Sequence, residues 1–463
     1  MNHKQLTGIT IVAFILFGMH HIPIAEGLSA TGIKTICMLL SFLVMLITAP
    51  FRIIHICFLF FGLMPLFGVA PTFHHALSGL SNPVILFVIA SFGISSAFTS
   101  LPLSKRILAA ILKRFGGNIR TILLAMMTST LIISGFVSSV PTCAVFMAIA
   151  LRFLDLYDTP EERSRTGRTL MIAIPVATMI GAFVTPIGST INLLVLHELE
   201  THTGATISFI QWMAAGIPIS LVTLPVAWRV ILKTHKPAEI NEAMVKKFLD
   251  GLDVPDTMSK PEVTTLIITG IMMALWIASS WVSGINIMVV ALLGACALCI
   301  PQLETLGIDI FIDGIGWDSV FLIATVLSLG DLMVLNGVSD FLVSIMPSMN
   351  VPMPLLIAFS AVLLFALLIL IPVAPSLIVI MGTPLIALAV SSGVSPAIVM
   401  FVSAICGCCC FLLPLDTVPL ITFGKGYYSI KDMFMSSLPI QVFLIVVMAL
   451  WLPMISRLFA FAL

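Results

Sequence analysis

Charged residues are scarce in this chain. Of its 463 residues only 9% are Asp, Glu, Lys or Arg, 60% are hydrophobic, and the formal net charge is zero. About a quarter of the residues of a soluble globular protein are charged, so the composition excludes that class. A balanced charge also provides no basic surface for a nucleic-acid partner. With a mean hydropathy of +1.19, the sequence predicts a polytopic protein of the lipid bilayer.

Basic residues are missing from much of the second half, between Lys260 and Lys425. In the first half they follow the apolar segments, at Arg52, Arg106 and Lys113. Lys and Arg collect on the cytoplasmic side of short loops, which predicts a cytoplasmic N-terminus. At about 20 residues per span, we expect an all-α protein with about 11 transmembrane helices plus two re-entrant hairpins, in a prokaryotic cytoplasmic membrane.

The segment 120–152 is as apolar as a membrane span but is interrupted in its middle. Basic residues flank both ends, at Arg120 and Arg152, so the segment most simply enters and leaves the membrane by the same face. Its centre, Ser138-Ser139-Val140-Pro141-Thr142, combines hydroxyls that suit a helix start with a proline that suits a first turn. We predict a re-entrant hairpin whose tip faces a cavity; the alternative is a long helix kinked at Pro141.

Three further apolar segments are interrupted by proline and hydroxyl residues, at 185–192, 371–376 and 413–419. Each half of the chain therefore has plain spans, then an interrupted hairpin, then a broken span. A polar segment at 235–262 separates the halves. Paired interruptions of this kind indicate a transporter built from inverted repeats, with its site near the midplane of the bilayer.

At these breaks the chain resembles the divalent-anion/sodium symporter family of dicarboxylate, citrate and sulfate carriers, over nearly its whole length. The first hairpin tip has Ser138-Ser139-Val140 where the family has Ser-Asn-Thr, and the first turn has Gly188-Ser189-Thr190-Ile191-Asn192 where the family has Gly-Thr-Pro-Pro-Asn. The corresponding stretches of the second half are Ala374-Pro375-Ser376 and Asp416-Thr417-Val418-Pro419.

The resemblance implies a scaffold, a transport domain that moves like an elevator, and a homodimer. Residues 1–120 and 263–352 then form the scaffold helices of the two repeats. Residues 121–234 and 353–463 carry the hairpins and broken helices of the transport domain, and 235–262 is a cytoplasmic linker.

The resemblance also implies which residues bind substrate and cation. The candidate substrate contacts are the residues at the four breaks, namely Ser138, Ser139, Thr142, Thr190, Asn192, Pro375, Ser376, Thr417 and Pro419. The candidate sodium site consists of Ser134, Ser138, Ser139 and Gly188. Sodium is the only ion implied, and no other cofactor is expected.

A second cation site departs from the family pattern, because Leu370 and Pro375 replace oxygen ligands there. Asp416 stands beside that position, and an acidic residue inside a membrane is costly and therefore a functional candidate. Asp416 could coordinate a cation, carry a proton, or only cap the helix that begins at Thr417. Asp331 is a second candidate coupling residue; its alternative is a structural hydrogen bond.

Other functional classes fit the sequence less well. An intramembrane aspartyl protease would need Asp318 and Asp331, which are 13 residues apart on one predicted span and so about 20 Å apart. A zinc protease would need His197 and His202 at a spacing of four rather than five, and we interpret that stretch as an exposed polar loop. The cysteine cluster at 406–410 is typical of apolar packing rather than of a tetrahedral metal site.

We therefore predict a secondary transporter of small divalent anions, with a C4-dicarboxylate or a related acid as substrate, and no enzyme activity. Coupling to sodium, coupling to protons and anion exchange all remain open. The alternatives with the same fold are a cation/proton antiporter, which would use Asp331 and Asp416, and an inorganic oxyanion transporter.

Overall fold

The computed structural model describes residues 3–21, 27–115, 117–255, 257–282, 284–344 and 351–459. The predicted segments 1–120, 235–262, 263–352 and 353–463 include residues that lie outside the described ones, namely 1–2, 22–26, 116, 256, 283, 345–350 and 460–463. The first half contains α1 (His3–Gly18), α2 (Ala30–Thr48), α3 (Ile53–Leu66), α4 (Phe73–Ala76), α5 (Pro83–Ser100), α6 (Leu103–Phe115), α7 (Ile119–Ser134), α8 (Ser139–Leu154), α9 (Pro160–Ala182), α10 (Thr190–Thr203) and α11 (Phe209–His235). The second half contains α12 (Glu242–Gly251), α13 (Lys260–Ala278), α14 (Ile287–Leu298), α15 (Ile308–Gly314), α16 (Trp317–Leu335), α17 (Val338–Ser344), α18 (Met353–Leu370), α19 (Ala374–Ser391), α20 (Pro396–Cys408), α21 (Thr417–Phe423) and α22 (Ile430–Phe459).

The described residues form helices and no strand, which confirms the all-α prediction. Eight of these helices, α2, α5, α11, α13, α16, α18, α19 and α22, are long and apolar enough to cross a membrane. Six shorter apolar helices accompany them, and three of these, α7, α8 and α20, belong to a hairpin or a broken span. The chain is thus a polytopic, multi-pass membrane protein.

Both predicted hairpins are present. The first consists of α7 and α8, which are separated at 135–138, contact each other and both pack against α9. The second consists of α18 and α19, which are separated at 371–373 and pack on α20. The alternative of one long helix kinked at Pro141 is wrong, because Pro141 is the third residue of α8, where a missing N–H costs no hydrogen bond.

Two spans are broken, also as predicted. The first pair, α9 and α10, is interrupted at 183–189, and the second pair, α20 and α21, at 409–416. A long closing helix follows each pair, and these two helices, α11 and α22, pack against each other. Hairpin, broken span and closing helix therefore occur in the same order in both halves.

A buried ion pair joins the first half of the chain to the start of the second. Nε of Arg106, on α6, lies 2.6 Å from Oε1 of Glu262, whose side chain is 1% exposed. The same guanidinium also donates to the backbone carbonyls of Pro255 and Thr257, both at 2.7 Å. These bonds fix the segment 255–262 against α6.

We expect Arg106→Ala to destabilise the protein by about 3–5 kcal/mol, because it leaves the Glu262 carboxylate buried without its partner. The measurement is the midpoint of thermal unfolding in detergent. The matched control is Arg163→Ala, which removes an exposed ion pair with Asp155 (2.7 Å) and should cost less than about 1 kcal/mol. Equal shifts for the two variants would contradict a structural role for the buried pair.

Candidate functional site

The four breaks surround one cavity of about 300 Å³. Apolar side chains of three other helices close its far side, among them Ile53 of α3, Phe92 of α5 and Leu322 of α16. The structure thus brings together residues from both halves of the chain. The lining residues from the breaks are Ser138, Ser139, Val140, Ser189, Thr190, Ile191, Pro372, Val373, Ala374, Pro375, Asp416, Thr417 and Val418.

The hairpin helices α8 and α19 begin at the cavity without a side-chain cap. Ser138 precedes α8 and Val373 precedes α19, and neither side chain accepts a hydrogen bond from the helix it precedes. The first N–H groups of a helix have no partner within the helix, and they carry the positive end of its dipole. Two open helix N-termini therefore face the cavity, which is an arrangement suited to anions.

The second helices of the two broken spans, α10 and α21, are capped. Oγ of Ser189 accepts from the Ile191 N–H at 3.2 Å, and Oδ1 of Asp416 accepts from the Val418 N–H at 3.0 Å. Ser189 and Asp416 thus satisfy part of their own helix starts. Asp416 nevertheless still lines the cavity, so the cap does not remove it from the site.

No Lys or Arg is among the cavity-lining residues of the described chain. An anion in this cavity would have only N–H groups and hydroxyls as donors, and an ionised Asp416 would repel it. A cation or a proton close to Asp416 would remove this repulsion.

Asn192 braces the first broken span from within. Its Nδ2 donates to the carbonyls of Ala182 (2.8 Å) and Thr185 (2.9 Å), and its Oδ1 accepts from the Cys408 thiol at 3.3 Å. Thr185 in turn donates to the Gly135 carbonyl of the first hairpin at 2.5 Å. Asn192 is fully buried, so its role in the structure is to hold the turn rather than to contact the cavity.

Oxygen atoms of the candidate sodium site gather behind Ser139. A Cβ on Gly188 would lie 2.6 Å from the Ala182 carbonyl oxygen and 3.0 Å from that of Ser134, so only glycine fits there. The Ser139 hydroxyl donates to the Gly188 carbonyl at 3.4 Å, and the Ser134 hydroxyl donates to the Thr178 carbonyl at 2.7 Å. Carbonyl and hydroxyl oxygens are the ligands that hard cations prefer.

Several candidate residues lie behind the lining rather than in it. Thr142 donates to the Ser138 carbonyl at 3.0 Å, and the Pro419 carbonyl accepts from the Tyr428 hydroxyl at 3.0 Å. Ser376 is fully buried, and its hydroxyl has no hydrogen-bond partner in the described structure. Asp331 lies apart from the cavity and accepts from the Ser78 hydroxyl at 2.6 Å.

The interpretation of residues 197–202 as an exposed loop is wrong. They continue α10, and the Glu198 side chain is buried against α16 and α19. A run of polar residues suggested a loop, because the sequence alone does not show that neighbouring helices cover one face of this run. The sequence signal that we missed is the spacing between Thr190 and Glu198. Glu198 follows Thr190 by eight residues, which is about two turns of the helix that begins at Thr190.

The structure also bears on the two protease alternatives. Asp318 and Asp331 lie near opposite ends of α16, where Asp318 accepts from the Ile54 N–H at 3.3 Å. Carboxylates so far apart cannot share a proton. The described residues contain no group of three or more His, Cys, Asp or Glu that could hold a metal ion, and the cysteines at 406–410 are buried in helix packing.

A family model, described as the sodium:sulfate symporter transmembrane region, matches residues 3–458. The chain belongs to this family. It is 26% identical over 400 residues to the sodium-dependent dicarboxylate transporter SdcS of Staphylococcus aureus strain USA300, a match covering 80% of this chain and 76% of that protein. The same protein from strain NCTC 8325 matches equally well.

A solved structure shares the fold of this symporter-family chain. The YdaH transporter of Alcanivorax borkumensis superposes with a TM-score of 0.58 at 14% identity, covering 80% of this chain and 85% of that one. The curated relatives are transporters, in agreement with a membrane transport protein.

We expect Asn192→Leu to lower the unfolding midpoint. The variant leaves the buried Ala182 carbonyl without a donor, at a cost of about 1–3 kcal/mol, whereas the Thr185 carbonyl still accepts from the Gly188 N–H at 3.2 Å. The measurement is the unfolding midpoint of the purified protein. The control, Asn118→Leu, removes an exposed helix cap whose N–H groups water can still reach, and it should lower the midpoint less; an unchanged midpoint in Asn192→Leu would contradict the bracing role.

Proposed function

We propose that this protein is a sodium-coupled secondary transporter of small divalent anions, with a C4-dicarboxylate as its substrate. The observation that carries the proposal is the pair of uncapped helix N-termini, of α8 and α19, that face one cavity without basic side chains. Family membership and a sodium-dependent dicarboxylate transporter among the relatives support it.

The two helix starts suit a substrate with two negative groups. One carboxylate would accept from N–H groups at Ser139 and Val140, and the other from those at Ala374 and Ser376. The hydroxyls of Thr190 and Thr417 would bind the same anion from the broken spans. A volume of about 300 Å³ lies at the small end of ligand pockets, which favours a short acid over a large one.

Sodium would bind to the oxygens gathered around Gly188 and Ser139. A cation there would offset part of the charge of the anion and hold the first hairpin against the first broken span. Asp416 would face a cation across the cavity and so be neutralised when the anion is bound. Two opposite charges brought into a site of low dielectric attract more strongly than they do in water, so anion and cation should bind cooperatively.

Movement of the site would follow an elevator mechanism. The hairpins and broken spans, within 121–234 and 353–463, would move as a transport domain against scaffold helices within 1–120 and 263–352. The cavity has breaks on one side and α3, α5 and α16 on the other, which supports this division. A homodimer through the scaffold, in a prokaryotic cytoplasmic membrane and with the N-terminus in the cytoplasm, completes the proposal.

A second candidate substrate is an inorganic oxyanion such as sulfate. Uncapped helix N-termini also bind tetrahedral oxyanions, and the family description names sulfate. Inhibition of labelled succinate uptake by unlabelled dicarboxylates or by sulfate distinguishes the two substrates.

The test is uptake of radiolabelled succinate into proteoliposomes, with imposed sodium and proton gradients applied separately and with unlabelled succinate preloaded in a third set. We expect uptake to rise with an inward sodium gradient and to be inhibited by unlabelled dicarboxylates more than by sulfate. Uptake only after preloading would indicate an exchanger. Absence of succinate uptake in all three sets would overturn the dicarboxylate proposal.

We expect Asp416→Asn to raise the sodium concentration needed for half-maximal uptake by about tenfold, because a carboxylate facing the cation is lost, a difference of about 1.4 kcal/mol. Asparagine still accepts from the Val418 N–H, so α21 keeps its cap. Asp250→Asn changes an exposed acid of α12 that lies outside the cavity lining, and it serves as the control. If the sodium dependence of uptake stayed the same and its pH dependence were lost, Asp416 would bind a proton rather than face the sodium ion.

A further inference from the structure

Glu198 is a buried acid that the proposed substrate and sodium sites do not use. It lies on α10 and is 4% exposed. Its two carboxyl oxygens lie against glycines of two other helices: a Cβ on Gly330 of α16 would be 3.7 Å from Oε1, and a Cβ on Gly382 of α19 would be 3.4 Å from Oε2. The carboxyl group is therefore enclosed where α10, α16 and α19 meet.

The carboxyl oxygens of Glu198 accept no hydrogen bond within the described part of the chain. The nearest basic atom is Nδ1 of His202, at 3.7 Å from Oε2, beyond hydrogen-bond distance. That nitrogen lies 2.9 Å from the backbone carbonyl of Glu198, to which it must donate, and Nε2 lies 2.9 Å from the Thr383 hydroxyl. Both ring nitrogens of His202 therefore have a hydrogen-bond partner other than the Glu198 carboxyl group.

The helices around Glu198, α5, α10, α16, α19 and α20, carry no Lys or Arg. The helices α5 and α19 carry no ionisable side chain, and the only ionisable residues of α20 are cysteines. Asp331 of α16 is the charged residue from a neighbouring helix that acts on Glu198. On α10 itself, His197 pairs with the Asn82 amide at 3.0 Å, and Glu200 is exposed.

These surroundings favour the neutral acid. An ionised carboxylate that is buried without a donor, beside another acid, loses its hydration and gains nothing in exchange. A bound proton removes this penalty. Asp331 is partly exposed, so water can approach the cluster from its side.

We propose that Glu198 is a proton-binding residue of the transport cycle, which takes up one proton from water on one side of the membrane and releases it to water on the other. The inference rests on the proposed function, in which α10 moves with the transport domain while α16 stays with the scaffold. In its neutral form, Glu198 can move past Asp331 with α10. It releases its proton where it is exposed to water and lies away from Asp331. The site lies about 12 Å along α10 from Thr190, so proton and anion travel on the same helix.

The test compares Glu198→Gln with Glu200→Gln, which changes an exposed acid two residues away on the same helix. The first readout is the infrared spectrum of the purified protein at neutral pH, which shows whether a protonated carboxyl group is present. We expect its C=O band in the wild type and in Glu200→Gln, and its loss in Glu198→Gln. Absence of the band in the wild type would overturn the proposal.

The second readout is acidification inside proteoliposomes loaded with a pH-sensitive dye, on addition of succinate with a sodium gradient. We expect Glu198→Gln to reduce the proton flux per succinate at least tenfold and Glu200→Gln to leave it unchanged. A normal flux in Glu198→Gln would overturn the coupling role even if the infrared band were lost. If the wild type takes up no succinate, the proposed function fails, whereas the infrared result still decides whether Glu198 holds a proton.

A second variant covers the case in which Glu198→Gln does not fold. Asp331→Asn removes the neighbouring negative charge, so Glu198 should ionise more easily and the infrared band should disappear at a lower pH than in the wild type. A band with an unchanged pH dependence would overturn the assignment of that proton to Glu198 beside Asp331.

Discussion

The structure depends on one constraint: backbone N–H and C=O groups inside a bilayer need partners, and a broken helix leaves several of them free. Two of the four breaks are closed from within. In the first broken span, Asn192 and Thr185 hold the turn, and the Trp212 indole donates to the Phe183 carbonyl at 2.9 Å. In the second broken span, Asp416 caps the helix that follows the break. The two hairpin tips have no such cap, so their N–H groups remain available at the cavity.

Charge is the second constraint on the site. A cavity without Lys or Arg binds an anion through dipoles, which attract it more weakly than a full positive charge does. An added acid, Asp416, makes the binding of a dianion harder still unless a cation accompanies it. In the proposed function, the residues that weaken anion binding alone would therefore make it conditional on a cation, as coupled transport requires.

Asp416 and Glu198 are both acids in apolar segments, but they differ in their surroundings. Asp416 has a backbone donor and lies at the cavity, so it can remain ionised beside a cation. Glu198 has no donor within hydrogen-bond distance among the described residues and is enclosed by three helices, which favours the protonated acid. The two carboxyl groups thus suit different ions, a cation at Asp416 and a proton at Glu198, because they differ in hydrogen bonding and burial.

The sequence by itself determined the membrane class, the two hairpins and the two broken spans. Those features follow from local chemistry: long apolar runs, prolines without N–H groups and hydroxyls at helix starts. Only the tertiary structure decided which side chains reach the cavity. Ser376 and Thr142 lie beside the tips in sequence but are buried behind them, Asn192 braces a turn, and Glu198 lies in a helix interface although its neighbours are polar. The physical reason is that the direction and burial of a side chain depend on which helices pack around it, and the sequence of one segment does not specify its neighbours.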